Sequence, residues 1–164
     1  MIKSACLTSL LLGALLSLPA GCQPSAAKPG VTAVPEKVEV VEEHWPNGKL
    51  RLRREVTRAP DDTLVDEGRY TRWYDNGQKE YEGVFVHGKP DGVATSWHCN
   101  GLKWIEEHYV QGQREGVRLD WDENGILRKE EHFSEDKPDG TWSTWDAKGK
   151  LKTQQKYEKG VPQS

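Results

Sequence analysis

Gly92-Val93-Ala94-Thr95-Ser96-Trp97-His98-Cys99-Asn100-Gly101-Leu102-Lys103-Trp104-Ile105-Glu106-Glu107-His108-Tyr109 reads as one β-hairpin. Val93 to His98 is short, β-branched and aromatic, with no apolar stripe of helical length. Asn100-Gly101 tolerates positive φ at both central positions of a type I′ turn, whose twist matches that of the flanking strands. Val110 to Gly116 then leads to the next such segment. Its equivalents Lys89-Pro90-Asp91-Gly92 and Lys137-Pro138-Asp139-Gly140 read as turns, with Pro presetting φ and Gly closing the turn. Each unit is thus two strands and two turns.

The hairpin recurs. Gly77, Gly101, Gly125 and Gly149 follow one another at intervals of 24 residues. The turn residues are Asn76-Gly77, Asn100-Gly101 and Asn124-Gly125, preceded by Asn47-Gly48 and followed by a degenerate Lys148-Gly149. Trp73, Trp97, Trp121 and Trp145 each stand four residues before their glycine, and Phe85, Tyr109, Phe133 and Tyr157 eight after it. A fixed period of this length means a modular array. The fold class is all-β: an elongated antiparallel sheet of tandem 24-residue β-hairpin repeats, with successive hairpins pairing edge to edge.

The four tryptophans are expected in one row on one face. With a two-residue turn, they face Glu80, Trp104, Arg128 and Lys152, which predicts cation–π pairs Trp121–Arg128 and Trp145–Lys152. Glu82, Glu106 and Glu130 form a repeated acidic ladder. The first unit is irregular, because Gly48 to Gly77 spans 29 residues. The surplus falls at Arg58 to Thr63 as a surface loop, and this unit reads as an N-terminal cap. The last unit, rich in lysine, suits an edge strand made unattractive to other strands.

The ends read differently. Lys3 and the leucine-rich Leu7–Leu18 form an export signal too short to span a bilayer. Leu18-Pro19-Ala20-Gly21-Cys22 resembles a bacterial lipobox, with Cys22 as the lipid-bearing new N-terminus. Pro19 departs from the Leu usual three residues before the cysteine. Residues 1–21 are therefore read as signal peptide, 22–43 as a lipid-anchored flexible linker and 44–164 as the repeat domain of about five hairpins. Stretched out, the linker reaches about 70 Å. Val38–Val41 is a candidate short strand. Localisation follows as an exported, membrane-anchored lipoprotein at the cell envelope.

Cleavage removes Lys3 and takes the net charge from −3 to −4, leaving no basic patch for nucleic acid. With Cys22 lipidated, Cys99 is the remaining thiol, so no disulfide framework forms. His98 and Cys99 are strand neighbours and point apart. His108 and His132 stand one repeat apart, about 9.6 Å over two strand spacings, too far to share a zinc easily. No phosphate loop, paired-acid motif or nucleophile elbow is present. The reading is of a non-enzyme without cofactor or metal.

Trp-x-x-Asn-Gly, followed by an acidic residue, an aromatic and a closing Gly over residues 44–162, resembles the MORN-repeat variant family and bacterial repeat proteins classed as antitoxin-like. The resemblance implies an elongated antiparallel sheet that serves protein–protein contacts and, in some eukaryotic members, lipid contacts. Trp73, Trp97, Trp104, Trp121 and Trp145 form the candidate binding face, since exposed aromatics anchor interfaces and stack on sugars. The expected role is an interaction module for an unknown envelope protein. The alternatives are a glycan- or peptidoglycan-binding module using the tryptophan row, and an antitoxin or immunity-type protein.

Overall fold

The computed structural model describes residues 37–164. The proposed signal peptide, Cys22 and most of the proposed linker lie outside the described residues. The described chain is one antiparallel sheet. β1 (Glu39–His44) and β2 (Leu50–Arg58) make the first hairpin, β3 (Leu64–Trp73) and β4 (Lys79–Val86) the second. β5 (Lys89–Pro90) is a two-residue return strand, followed by the third hairpin, β6 (Gly92–Trp97) and β7 (Lys103–Val110). After β8 (Gln113–Arg114) come β9 (Gly116–Trp121) and β10 (Leu127–Ser134); after β11 (Lys137–Pro138) come β12 (Gly140–Trp145), β13 (Leu151–Glu158) and the last return strand, β14 (Val161–Pro162). The order across the sheet is β1-β2-β3-β4-β6-β7-β9-β10-β12-β13-β14, with β5, β8 and β11 beside β4, β7 and β10. β1 occupies residues read as the end of the linker, one residue beyond the expected Val38–Val41 start. The five surplus residues of the first unit are the Ala59–Thr63 loop, where Asp62 takes positive φ.

The turns reverse their expected assignments. At Asn76-Gly77 only the glycine has positive φ, at 91°. Gly77 N–H donates to Tyr74 O and Tyr74 N–H to Gln78 O, both at 2.9 Å. This is a three-residue loop, a type I turn completed by a left-handed glycine, not a type I′ turn. The type I′ signature lies at the other end of each of the last four hairpins. There His87-Gly88, Gln111-Gly112, Glu135-Asp136 and Lys159-Gly160 have positive φ at both positions. Lys89-Pro90 and Lys137-Pro138 are accordingly short strands paired with β4 and β10.

The longer loop shifts the register. A bulge falls beside the last residue of the first strand in each of the last four hairpins, so Trp73, Trp97, Trp121 and Trp145 oppose Lys79, Lys103, Leu127 and Leu151. The expected partners Glu80, Trp104, Arg128 and Lys152 are each one residue further along. A bulge sets two residues against one, and repeated at one position it adds the same twist to every unit.

Alternation along the strands separates two faces. One carries Trp73, Trp97, Trp121 and Trp145. The other carries Phe85, Tyr109, Phe133 and Tyr157, opposite Gly68, Gly92, Gly116 and Gly140. Each ring lies across the strand from a residue without a side chain; at Gly140 a Cβ would sit 2.9 Å from His132 Cβ. Burial is thin. Among the described residues only Leu52, Val56, Ala94 and Phe133 are buried hydrophobics, and Val56 alone is fully enclosed. A one-layer sheet has no second layer to cover it, so stability rests on the strand ladder and half-buried side chains.

Candidate functional site

The tryptophan face is assembled by contacts between repeats. Lys79 Nζ lies 5.1 Å from the Trp97 ring and Lys103 Nζ 5.8 Å from the Trp121 ring. Each lysine comes from the preceding hairpin, so the cation–π pairs run between repeats. The expected pairs Trp121–Arg128 and Trp145–Lys152 are not the ones formed, because the bulge moves those side chains out of position. Glutamates complete the motif: Lys79 pairs with Glu82 at 2.7 Å and Lys103 with Glu106 at 2.5 Å. Glutamate, ammonium and indole therefore recur along two successive steps. Both pairs are solvent-accessible, so each cation–π contact contributes about 0.5–1 kcal/mol. At the start of the row a shallow recess is lined by Arg53, Glu55, Arg69, Thr71, Trp73, Lys79 and Glu82.

Trp104 stands apart from that row. It is the extra residue of its bulge, 45 % exposed, and its ring lies 5.6 Å from the imidazole of His98. His98 follows Trp97 in the chain and projects to the opposite side. The five tryptophans proposed as one binding face thus divide four to one.

A second set of links escaped the sequence reading. Trp45 Nε1 donates to Trp73 O, Tyr74 Oη to Trp97 O, and His98 Nε2 to Trp121 O, at 2.8–3.0 Å. The donor occupies the same place in each unit, three residues before the turn glycine. Asp122 stands there in the fourth unit and has no proton to give; Arg128 Nε donates to Trp145 O instead, with its guanidinium held by Asp122. Beside this ladder, Nδ2 of Asn47, Asn76 and Asn100 donates to the carbonyls of Asp75, Cys99 and Glu123. The Asn residues proposed as turn formers therefore also join turn to turn. The only sequence signal for the ladder is that Trp, Tyr and His all donate from a side chain.

The tyrosine face changes character along its length. Tyr70 packs on Tyr81 and Phe85 at 5.8 and 5.3 Å between ring centroids. Towards the C-terminus Trp142 lies between Phe133 and Tyr157, at 5.2 and 4.9 Å, and donates through Nε1 to His132 O. In the middle, Arg118 sits among Glu107, Asp120 and Glu131 at 3.1–3.6 Å. All four side chains are less than one quarter exposed. Arg118 Nε and Asp120 Oδ1 are 3.1 Å apart but too poorly aligned to hydrogen-bond, leaving both atoms unsatisfied. Burial raises the Asp120 carboxyl despite Arg118. Burial and a hydrogen bond to Glu107 raise the Tyr109 phenol far above its ordinary range.

Nucleophilic chemistry finds no constellation here. Cys99 is an exposed free thiol, and the His98 Nε2 beside it in sequence is committed to the Trp121 carbonyl. His108 and His132 lie on β7 and β10 with β9 between them, and His132 is bonded to Glu130 at 2.9 Å. Among the described residues no group of three or more His, Cys, Asp or Glu is placed to hold a metal ion.

No curated protein and no solved structure matches the chain. A family model described as MORN repeat variant matches residues 66–87, 114–135 and 138–159. The first match begins within β3 and the other two within the short strands β8 and β11, and each ends in a type I′ turn. The first hairpin, β1–β2, and the third, β6–β7, are unmatched, yet β6–β7 has the same strands, bulge and turns as its neighbours. A MORN-repeat variant domain therefore covers part of this chain.

Proposed function

We propose that the protein is a non-catalytic interaction module held at the bacterial cell envelope by a lipid on Cys22, and that it engages a protein partner through the tryptophan face. The observation that carries this reading is the repeated glutamate–lysine–tryptophan arrangement on one side of a single-layer sheet. It offers apolar rings along several strands as anchors for a protein partner, with charges of both signs beside them to fix its orientation. Lysines over Trp97 and Trp121 leave those rings poorly disposed to stack on sugars, which favours a protein over a glycan partner.

The test is crosslinked capture of the full-length protein from cells, compared with Cys22→Ala and with Lys79→Glu/Lys103→Glu. The expected result is one dominant companion, lost on charge reversal, with Cys22→Ala released from membranes. Tryptophan fluorescence that responds to envelope sugars, with no companion captured, would move the glycan reading ahead. A companion toxic when unopposed would do the same for the immunity reading.

A further inference from the structure

The repeats show how one hairpin receives the next. On β4, Tyr81 and Glu82 pair with Ser96 and Thr95 of β6; on β7, Ile105 and Glu106 pair with Asp120 and Leu119 of β9; on β10, Lys129 and Glu130 pair with Thr144 and Ser143 of β12. Counting on by 24 residues, the same positions on β13 are Thr153 and Gln154. Among the described residues no strand pairs with their outer side, and Leu151 to Lys156 are all exposed. Beside them stands Lys152, the counterpart of Arg128, whose side chain donates to the backbone carbonyl of the incoming strand in the preceding unit. β13 thus presents the groups that elsewhere hold another strand.

Its charge says which strand fits. From Ala147 to Ser164 there are five lysines, Lys148, Lys150, Lys152, Lys156 and Lys159, against Glu158 alone. None of the five is in an ion pair among the described residues. At the other end of the sheet an acidic strand already lies along a basic one. Glu39, Glu42 and Glu43 of β1 meet Arg58, Arg53 and Arg51 at 3.2, 3.5 and 3.8 Å. Lysines on an open edge repel a second copy of that same edge, because like charges on paired strands are destabilising.

We infer that the outer edge of β13 accepts an extended acidic segment of a partner protein as an additional strand. Backbone pairing at Thr153 and Gln154 supplies the contact, and Lys152 and Lys156, on opposite faces of β13, select carboxylates on either side of the added strand. The inference rests on the interaction-module reading above, but it names a different surface.

The probe is a fluorescein-labelled octapeptide of alternating glutamate and valine, followed by anisotropy with the full-length protein. The controls are the lysine–valine analogue and a glutamate–valine peptide N-methylated at every second residue. The acidic peptide is expected to bind at least tenfold more tightly than either control. Lys152→Glu/Lys156→Glu, checked by circular dichroism for an unchanged fold, is expected to lose tenfold or more and to gain affinity for the lysine–valine peptide. Equal binding of the N-methylated and plain acidic peptides would reduce the effect to charge and overturn strand addition; no binding would overturn it outright. Self-association of the protein that disappears in Lys152→Glu/Lys156→Glu would replace the partner with a second copy. A captured companion that still binds this double variant would overturn the edge while leaving the module reading in place. Peptide binding with no companion captured would support the edge and count against the module.

Discussion

On the tyrosine face the last two hairpins meet ring to ring, through Phe133, Trp142 and Tyr157, whereas those before them meet through Arg118 among three carboxylates. The strand register is the same in both places. Where rings pack, Trp142 also satisfies its own polar atom on His132 O. In the ionic middle, two buried polar atoms have no hydrogen-bond partner. The backbone ladder and turns carry the repeat, so the space between neighbouring hairpins is free to be filled by apolar packing or by charge. The two fillings should respond differently to truncation, acid and time.

The largest difference is expected from Trp142→Ala. It removes two ring contacts and a hydrogen bond from a half-buried site, and a loss of about 3 kcal/mol follows. Urea unfolding measures it; a loss below about 1 kcal/mol would remove the aromatic end of the comparison. Arg118→Ala leaves three poorly solvated carboxylates without their cation. Because the cluster is only partly buried, about 2 kcal/mol is expected at neutral pH, less than for a fully enclosed ion pair. Arg118→Met should recover little of it, since volume is not what the site lacks. A fully stable Arg118→Ala protein would mean that the middle is held by its ladder alone.

Acid should separate the two regions by sign. Burial raises the Asp120 carboxyl, so its favourable contribution is present below the ordinary aspartate value and lost as pH rises through the raised one. Asp122 and Asp146 lie in turns and are lowered, first by backbone N–H bonds from Ile126 and Lys150 respectively. Their contribution is present above the ordinary value and lost as pH falls through the lowered ones. Mild acid thus relieves the middle, and stronger acid loosens the turns of the last two hairpins. Carboxyl-carbon NMR titration should find Asp120 protonating at higher pH than Asp122 and Asp146; the opposite order would erase the distinction.

The smallest expected effect concerns the turns. Asn47, Asn76 and Asn100 are pinned by bonds to the next turn, while Asn124, among the described residues, makes no such side-chain bond because Asp122 serves its loop instead. Attack of the Gly125 nitrogen on the Asn124 side-chain carbonyl, releasing ammonia, needs that side chain to swing. Peptide mapping after mildly alkaline incubation should find Asn124 deamidated several-fold faster than the other three. Uniform rates would show that the Asn bonds do not restrain the side chains.

The strands, their order and the five hairpins were legible because a 24-residue period and a strand-length apolar pattern leave few alternatives. The turn types were not. Asn-Gly suits both a two-residue type I′ turn and a three-residue loop ending in a left-handed glycine, and local preference cannot separate them. What separates them is the neighbouring repeat: Asn76 holds its loop by accepting from Gln78 N–H while donating to Cys99 O. Glu135-Asp136 forms a type I′ turn without any glycine, which no composition signal announces. The loop then decides the register, and the register decides that Lys79 meets Trp97 of the next unit. Trp104 left the tryptophan row through the same one-residue shift.

The rungs of the donor ladder have a common length. Tyr74 reaches Trp97, His98 reaches Trp121, Asn76 reaches Cys99 and Asn100 reaches Glu123, each across 23 residues. The first rungs, from Trp45 and Asn47, span 28, longer by the five residues of the surface loop. The molecule therefore carries its own unit of growth. Duplicating the 24 residues 92–115 would give the new copy a complete set of donors and acceptors on both sides, and the array could lengthen by whole steps. Removing a single residue inside a strand would instead turn the rest of that strand's side chains to the wrong face.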